Sequence, residues 1–229
     1  LSEAVQALSA ELRENPADAR RRTFLFELLC FAGDYERAER QLEVLSQGGP
    51  PSELGAVLYR SALEAERTRQ EMFRKREWPS APGAAERPLS GSLNGNPFES
   101  LEDADPRVGA KLEVFAAGNC LWLPLAHIAS IRIEPPRRLR DLLWIPAGIR
   151  TGPGFKGLEL GEVFLPVLYA GSWLHPDDAV RLGRSTVWEE EADGEALPFG
   201  QKMLLVDGEE FPLLEVRTVE INAFEQAAG

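Results

Sequence analysis

Ala4-Val5-Gln6-Ala7-Leu8 and Ala38-Glu39-Arg40-Gln41-Leu42 stand 34 residues apart. The same offset carries Pro16 onto Pro50, and Phe24, Leu25, Leu28 and Leu29 onto Leu58, Tyr59, Ala62 and Leu63. Thirty-four residues is the period of the tetratricopeptide helix–turn–helix repeat. Such units cannot bury their own apolar faces. They stack, and the stack leaves a concave surface that receives a peptide or helix of another protein. The spacing therefore predicts a helical N-terminal domain over residues 1–78 and a binding function for it.

Local signals place the helices. Ala4, Val5, Leu8 and Leu12 form one face of a helix over residues 2–14, ended by Asn15-Pro16. Asp18 caps a second helix, and Gly33 takes the left-handed turn position before a third over residues 36–46. Gly48-Gly49-Pro50-Pro51 is read as a stop, with a fourth helix running from Ser52 to about Arg76. No second glycine turn follows at Arg67, so the array ends in one longer helix. Residues 79–97, rich in proline, glycine and serine, are expected to form a linker.

Beyond residue 98 the pattern alternates. Strands are expected at Lys111–Phe115 and Cys120–Leu125 around an Ala117-Gly118-Asn119 turn, at Val163–Tyr169, at Met203–Val206 and Phe211–Leu214 around Asp207-Gly208, and at Leu214–Ile221. The fold class is then α+β: a tetratricopeptide-like helical repeat domain followed, over 98–229, by a mostly antiparallel, barrel-like β domain with short helices.

Charge narrows the function. The 229 residues carry a net charge of −12, and residues 1–78 hold only 14 of the 37 acidic against 12 of the 25 basic side chains. The acidic excess belongs to the β-rich part, and it argues against nucleic acid and anionic membranes as partners. No apolar run is long enough to cross a bilayer, and no signal-peptide pattern opens the stretch. Cys30 and Cys120 lie 90 residues apart with no CxxC. A cytoplasmic, reducing setting fits.

Catalytic patterns are sparse. His127 and His175 have no metal-ligand spacing, and no cofactor or metal set is expected. Asp103-Ala104-Asp105 lacks the rest of a calcium loop. Gly171-Ser172-Trp173 is not a nucleophile elbow, and the glycines of 148–154 do not open a helix as a phosphate loop does. Arg140-Asp141 beside Trp144 is read first as a loop pinned by arginine and carboxylate, with substrate binding as the alternative. Asp103, Asp105, Arg140, Asp141 and Trp144 are thus a structural or functional cluster to be located. Were the domain an enzyme or small-molecule sensor, Asp103, Asp105 and Arg140 would converge with His127 in a deep pocket. If a partner helix lies in the repeat groove, Tyr35, Tyr59 or Leu63 lines it, unless they serve packing within the repeats. A third reading is architectural, with the halves packed together and no groove left open.

Several blocks in order carry a resemblance. They are Asp103-Ala-Asp105-Pro-Arg107-Val-Gly109, Leu121-Trp122-Leu123-Pro124-Leu125, and Pro135-Pro136 with Leu139-Arg140-Asp141-Leu142 and Trp144-x-Pro146-Ala147. Leu165-Pro166-Val167-Leu168-Tyr169, Leu182-Gly183-Arg184-Ser185-Thr186-x-Trp188, Gly200-Gln201-Lys202, and Glu215-Val216-Arg217 follow. Together they resemble the ImpE family, also called SciE or TagJ, of bacterial type VI secretion. The resemblance implies a cytoplasmic, non-enzymatic adaptor. It implies as partners the small subunit of the contractile sheath, bound through a helix, and the AAA+ ATPase that recycles contracted sheath.

Overall fold

The computed structural model describes residues 1–77, 89–152, 161–190 and 194–222. Four helices come first: α1 (Ser2–Glu14), α2 (Ala19–Phe31), α3 (Tyr35–Ser46) and α4 (Pro50–Lys75). Each packs on the next. Asp18 and Asp34 cap α2 and α3 by accepting the backbone N–H groups of Arg21 and Arg37, which satisfies donors the first turn leaves unpaired. Gly33 has φ +72°, the left-handed value that ends one helix and lets the next fold back. The 34-residue offset persists as burial. Leu25, Leu28 and Leu29 are buried, as are Ala62 and Leu63, while the matched pair Phe24 and Leu58 is exposed, at 45% and 49%.

The start of α4 differs from expectation. α3 ends at Ser46 as expected, but α4 begins at Pro50 rather than Ser52, with Pro50 and Pro51 in its first turn and Gly49 at φ 98° before them. Proline is compatible with the first helical turn, where its missing N–H has no partner to lose. α4 runs 26 residues and ends at Arg76 in the left-handed conformation.

The β-rich part is not a closed barrel. Its main sheet contains β1 (Gly91–Leu93), β2 (Asn96–Phe98), β4 (Lys111–Ala116), β5 (Asn119–Pro124), β6 (Ile128–Ile133), β7 (Trp144–Thr151), β8 (Gly161–Pro166) and β13 (Thr218–Ile221). Their order is β2-β1-β13-β6-β7-β8-β4-β5, with antiparallel neighbours, so β2 and β5 are free edges. α4 packs against β4 and β5. β2 carries Pro97, which offers no N–H for further pairing. β3 (Leu101–Asp103), β11 (Met203–Val206) and β12 (Glu209–Pro212) form a second sheet, and β9 (Thr186–Glu190) pairs with β10 (Ala196–Gly200).

The expected linker divides. Residues 79–88 lie outside the described residues, whereas 91–98 form the β1–β2 hairpin, with Gly91 opposite Ile221 of β13. Pro153 and Gly154 of the glycine-rich stretch also lie outside them. The Ala117-Gly118 and Asp207-Gly208 turns form as read, all four residues having positive φ. The strand expected over 163–169 is β8 and ends at Pro166. The last strand begins only at Thr218, after a helical turn over Leu213–Glu215.

Two apolar clusters hold the molecule. One fills the sheets, with Val114, Val167 and Val219 wholly enclosed. The other crosses from the helices to the sheet, joining Phe26, Leu29, Leu42 and Leu63 to Phe115, Leu143 and Trp144. The halves are therefore packed together, as the architectural reading expects. An opening nevertheless remains beside the first half of α4.

Candidate functional site

Two arrangements draw together the chemistry-bearing side chains: a buried chain of charges between the halves, and a seam of clefts around Leu58.

The buried chain starts at Trp144, whose Nε1 donates to Glu66 Oε2 at 3.0 Å. Arg69, one turn further along α4, donates to Glu66 at 3.2 Å and, in fork geometry, to both oxygens of Glu113 at 2.9 and 3.0 Å. Lys202 then bridges Glu113 and Asp103, at 2.5 Å to each. Asp103 also accepts the N–H of Asp105, and Asp105 is paired with Arg107 at 2.6 Å. Arg69, Glu113, Lys202, Asp103 and Asp105 are all buried. Charges taken from water persist only where such partners replace the lost hydration.

Position in the chain sets each carboxyl. Burial opposes the charge of Glu113, but Arg69 and Lys202 outweigh it and hold the carboxyl at about 2. Burial raises Asp103 to about 6, with Lys202 pulling against it and Glu113 adding to it. Burial also lowers Arg69 and Lys202, yet the facing carboxylates leave both raised. The carboxyl between two cations is held below its ordinary range, and the one that faces Lys202 alone lies above it.

The expected cluster is thus divided by role. Asp103 and Trp144 sit at opposite ends of one polar chain. Asp141 caps a turn, accepting the backbone N–H groups of Arg137 and Arg138 at 2.8 and 2.9 Å. Arg140 does not pair with it. Its guanidinium lies 4.5 Å from the Tyr59 ring centroid and 3.9 Å from Glu27. The cleft that Arg140 lines includes neither Asp103, Asp105 nor His127, so the pocket a catalytic reading requires does not form there. His127 is exposed on a helical turn, and His175 pairs with Glu189 at 3.1 Å. Among the described residues no group of three His, Cys, Asp or Glu side chains could hold a metal ion. Ser172 accepts from Gly200 N–H and donates to the Tyr169 carbonyl.

The three residues expected to line a groove also separate. Leu63 is buried at 1% exposure, its surface already taken by the chain's own packing. Tyr35 is half-buried beside Cys30, Glu66 and Trp144, and burial pushes its phenol well up. Tyr59 alone of the three lines the larger clefts, stacked 5.9 Å from Phe164 and tilted 6.2 Å from Phe26.

That opening follows the line where helices meet sheet. Three clefts converge on Leu58. One of about 360 Å³ lies over Phe26, Leu42 and Tyr59 and reaches Arg138 and Arg140. One of about 530 Å³ passes Tyr59, Phe164, Arg132 and Arg137. One of about 550 Å³ runs between α4 and the β4–β5 turn to Glu162. Leu54 and Val57 stand beside them, 73% and 52% exposed. Large aliphatic side chains left together in water mark an interaction surface more often than a bare one.

Glu66, Arg69, Glu113 and Lys202 escape a reading of the sequence. Arg69 reads as part of a solvated basic helix end. The available signal was Glu113, an acid between Leu112 and Val114 that faces Trp122 across the hairpin.

Buried charge clamps the helices to the sheet, and apolar clefts lie open along their junction. The chain belongs to the ImpE family: residues 95–220 match the ImpE protein model. It is 32% identical over 254 aligned residues, covering 97% of this chain and 88% of the relative, to the type VI secretion system accessory component TagJ of Pseudomonas aeruginosa. Its fold is similar to the crystal structure of protein VPA1032 from Vibrio parahaemolyticus, with a TM-score of 0.83, 26% identity, and coverage of 96% of this chain and 93% of that one.

Proposed function

We propose that this protein is a non-enzymatic accessory adaptor of bacterial type VI secretion. It works in the cytoplasm and binds the small subunit of the contractile sheath, the AAA+ ATPase that recycles the sheath, or both. The observation that carries the reading is the seam: Leu54, Val57 and Leu58 remain exposed on α4, whose Ala62, Leu63, Ala65, Glu66 and Arg69 are buried against the rest of the chain. Membership of the ImpE family and the relative named as an accessory component supply the setting. The helical half serves as tetratricopeptide-like arrays do, holding a foreign helix by its apolar face, with Tyr59 the member of the expected trio placed to touch it. Among the described residues no helix is long and apolar enough to cross a membrane.

The rival reading, a hydrolytic or small-molecule site at Asp103, Asp105 and Arg140, has no supporting geometry, since the two aspartates are spent on Lys202 and Arg107. Calorimetric titration of the full chain with purified sheath small subunit and with purified ATPase tests the adaptor reading. Saturable binding to at least one is expected, and no heat with either would end it.

A further inference from the structure

Trp173 carries a donor that the described residues leave unused. Its Nε1 is enclosed and has no hydrogen-bond partner among them. An indole N–H buried without an acceptor loses its hydration and gains nothing in return. Trp173 lies on the helical turn Ser172–Leu174 of the β-rich half, and its ring lies against Gly33 in the turn between α2 and α3. The unused donor is therefore at the junction of the two halves.

Trp173 also lines a small cavity there, together with Tyr35 of α3, Glu66 and Gln70 of α4, and Trp144. The cavity has a volume of about 20 Å³. One water molecule needs roughly 10–15 Å³, so the space admits a single water, and it is far too small for an organic ligand. Its polar lining has bonds to offer. Glu66 Oε1 already accepts from Arg69 and Gln70, whereas Oε2 accepts from Trp144 alone. A carboxylate oxygen has two lone-pair sites, which leaves Oε2 with one to fill. Burial pushes the Tyr35 phenol well up, so its hydroxyl keeps its proton and can donate or accept.

We infer that this cavity is a binding site for one structural water, which accepts the Trp173 N–H and donates to Glu66 Oε2, with the Tyr35 hydroxyl as its third partner. Three bonds is the usual complement of a buried water. The water extends the buried chain of charges from Glu66 to Trp173. It ties α3, α4 and the Ser172–Leu174 turn together at one point, beside the apolar and ionic contacts that already cross between the halves. The inference stands apart from the adaptor reading and holds whichever partner the chain binds. The rival is a dry cavity. Apolar cavities stay empty, but this lining contains a carboxylate, a phenol and an unpaired N–H, and stranding those groups costs more than immobilising a water.

Two measurements on the full chain test it. A crystal structure at a resolution that shows ordered solvent should place a density peak in the cavity, about 2.7–3.2 Å from Trp173 Nε1 and from Glu66 Oε2 or the Tyr35 hydroxyl. In solution, with ¹⁵N-labelled tryptophan, the Trp173 indole proton is assigned by its loss in Trp173→Phe. That proton should show a nuclear Overhauser effect to water with the sign of a long-lived contact. The effect should persist in Tyr35→Phe, which excludes relay through the hydroxyl proton. A cavity empty of density overturns the inference. So does Trp173 Nε1 bonded directly to a protein acceptor, or an indole proton with no long-lived water contact.

Discussion

Gly33 holds two constraints at one atom. Its φ of +72° disfavours any side chain, and a Cβ there would lie 2.4 Å from the Trp173 ring. Gly33→Ala is expected to cost about 1–3 kcal/mol, and Trp173→Leu should recover part of that loss in a double-mutant cycle read by chemical denaturation. Arg69 carries more. Replacing it with methionine strands Glu113 and Glu66 among buried partners and should cost about 3–5 kcal/mol. Asp103 gives a pH signature. Its folded-state value, about 6, lies above its ordinary 3.8, so the folded chain binds more protons in that window. Stability should therefore rise as pH falls from about 7 towards 5, with Glu27, also raised, adding in the same direction. Below about 4.5 the trend reverses as Glu113, held at about 2, loses its advantage. Melting temperature against pH reads both limbs, and Asp103→Asn should flatten the first.

At the scale of elements, the helices were legible because their signals are local. Asp18, Gly33 and the apolar spacing act within a turn or two, and the 34-residue offset places exposed Leu58 as well as buried Leu63. α3 does stop before Gly48–Pro51, ending at Ser46, but α4 starts at Pro50 rather than Ser52 because proline is also suited to a first helical turn. Strands were legible from alternation and from Ala117-Gly118 and Asp207-Gly208. Closure was not, since nothing within β2 or β5 says whether those edges meet. The seam was half legible. The groove was anticipated, but the β half fills the face at Tyr35 and Leu63, so the opening lies along α4 instead. Glu113 and Lys202, 89 residues apart, meet only through sheet order. α4 accordingly has two separable duties. Leu58→Asp should leave stability within about 0.5 kcal/mol of the parent while weakening partner binding. Arg69→Met should do the reverse as long as the chain remains folded.

At the scale of the whole molecule, one apolar cluster and one charge chain both cross between helices and sheet. The halves should therefore unfold together. Helical circular dichroism and the fluorescence of the tryptophans, Trp144 being enclosed at the junction, should give coincident denaturation curves. Helix loss at a lower denaturant concentration would show the clamp to be weak. Halves joined by shared packing and buried ion pairs would offer a partner a preformed seam rather than a surface made on binding.

Where that partner sits is the central claim, and site-specific photocrosslinking reads it most directly. A photoreactive side chain is placed at Leu58 and, separately, at Leu174, which is 65% exposed on the β-rich half. Each protein is then irradiated with purified sheath small subunit. A crosslink from position 58 to a helical segment of the subunit, with none from 174, is the predicted result. A crosslink confined to 174, with position 58 silent, would contradict it.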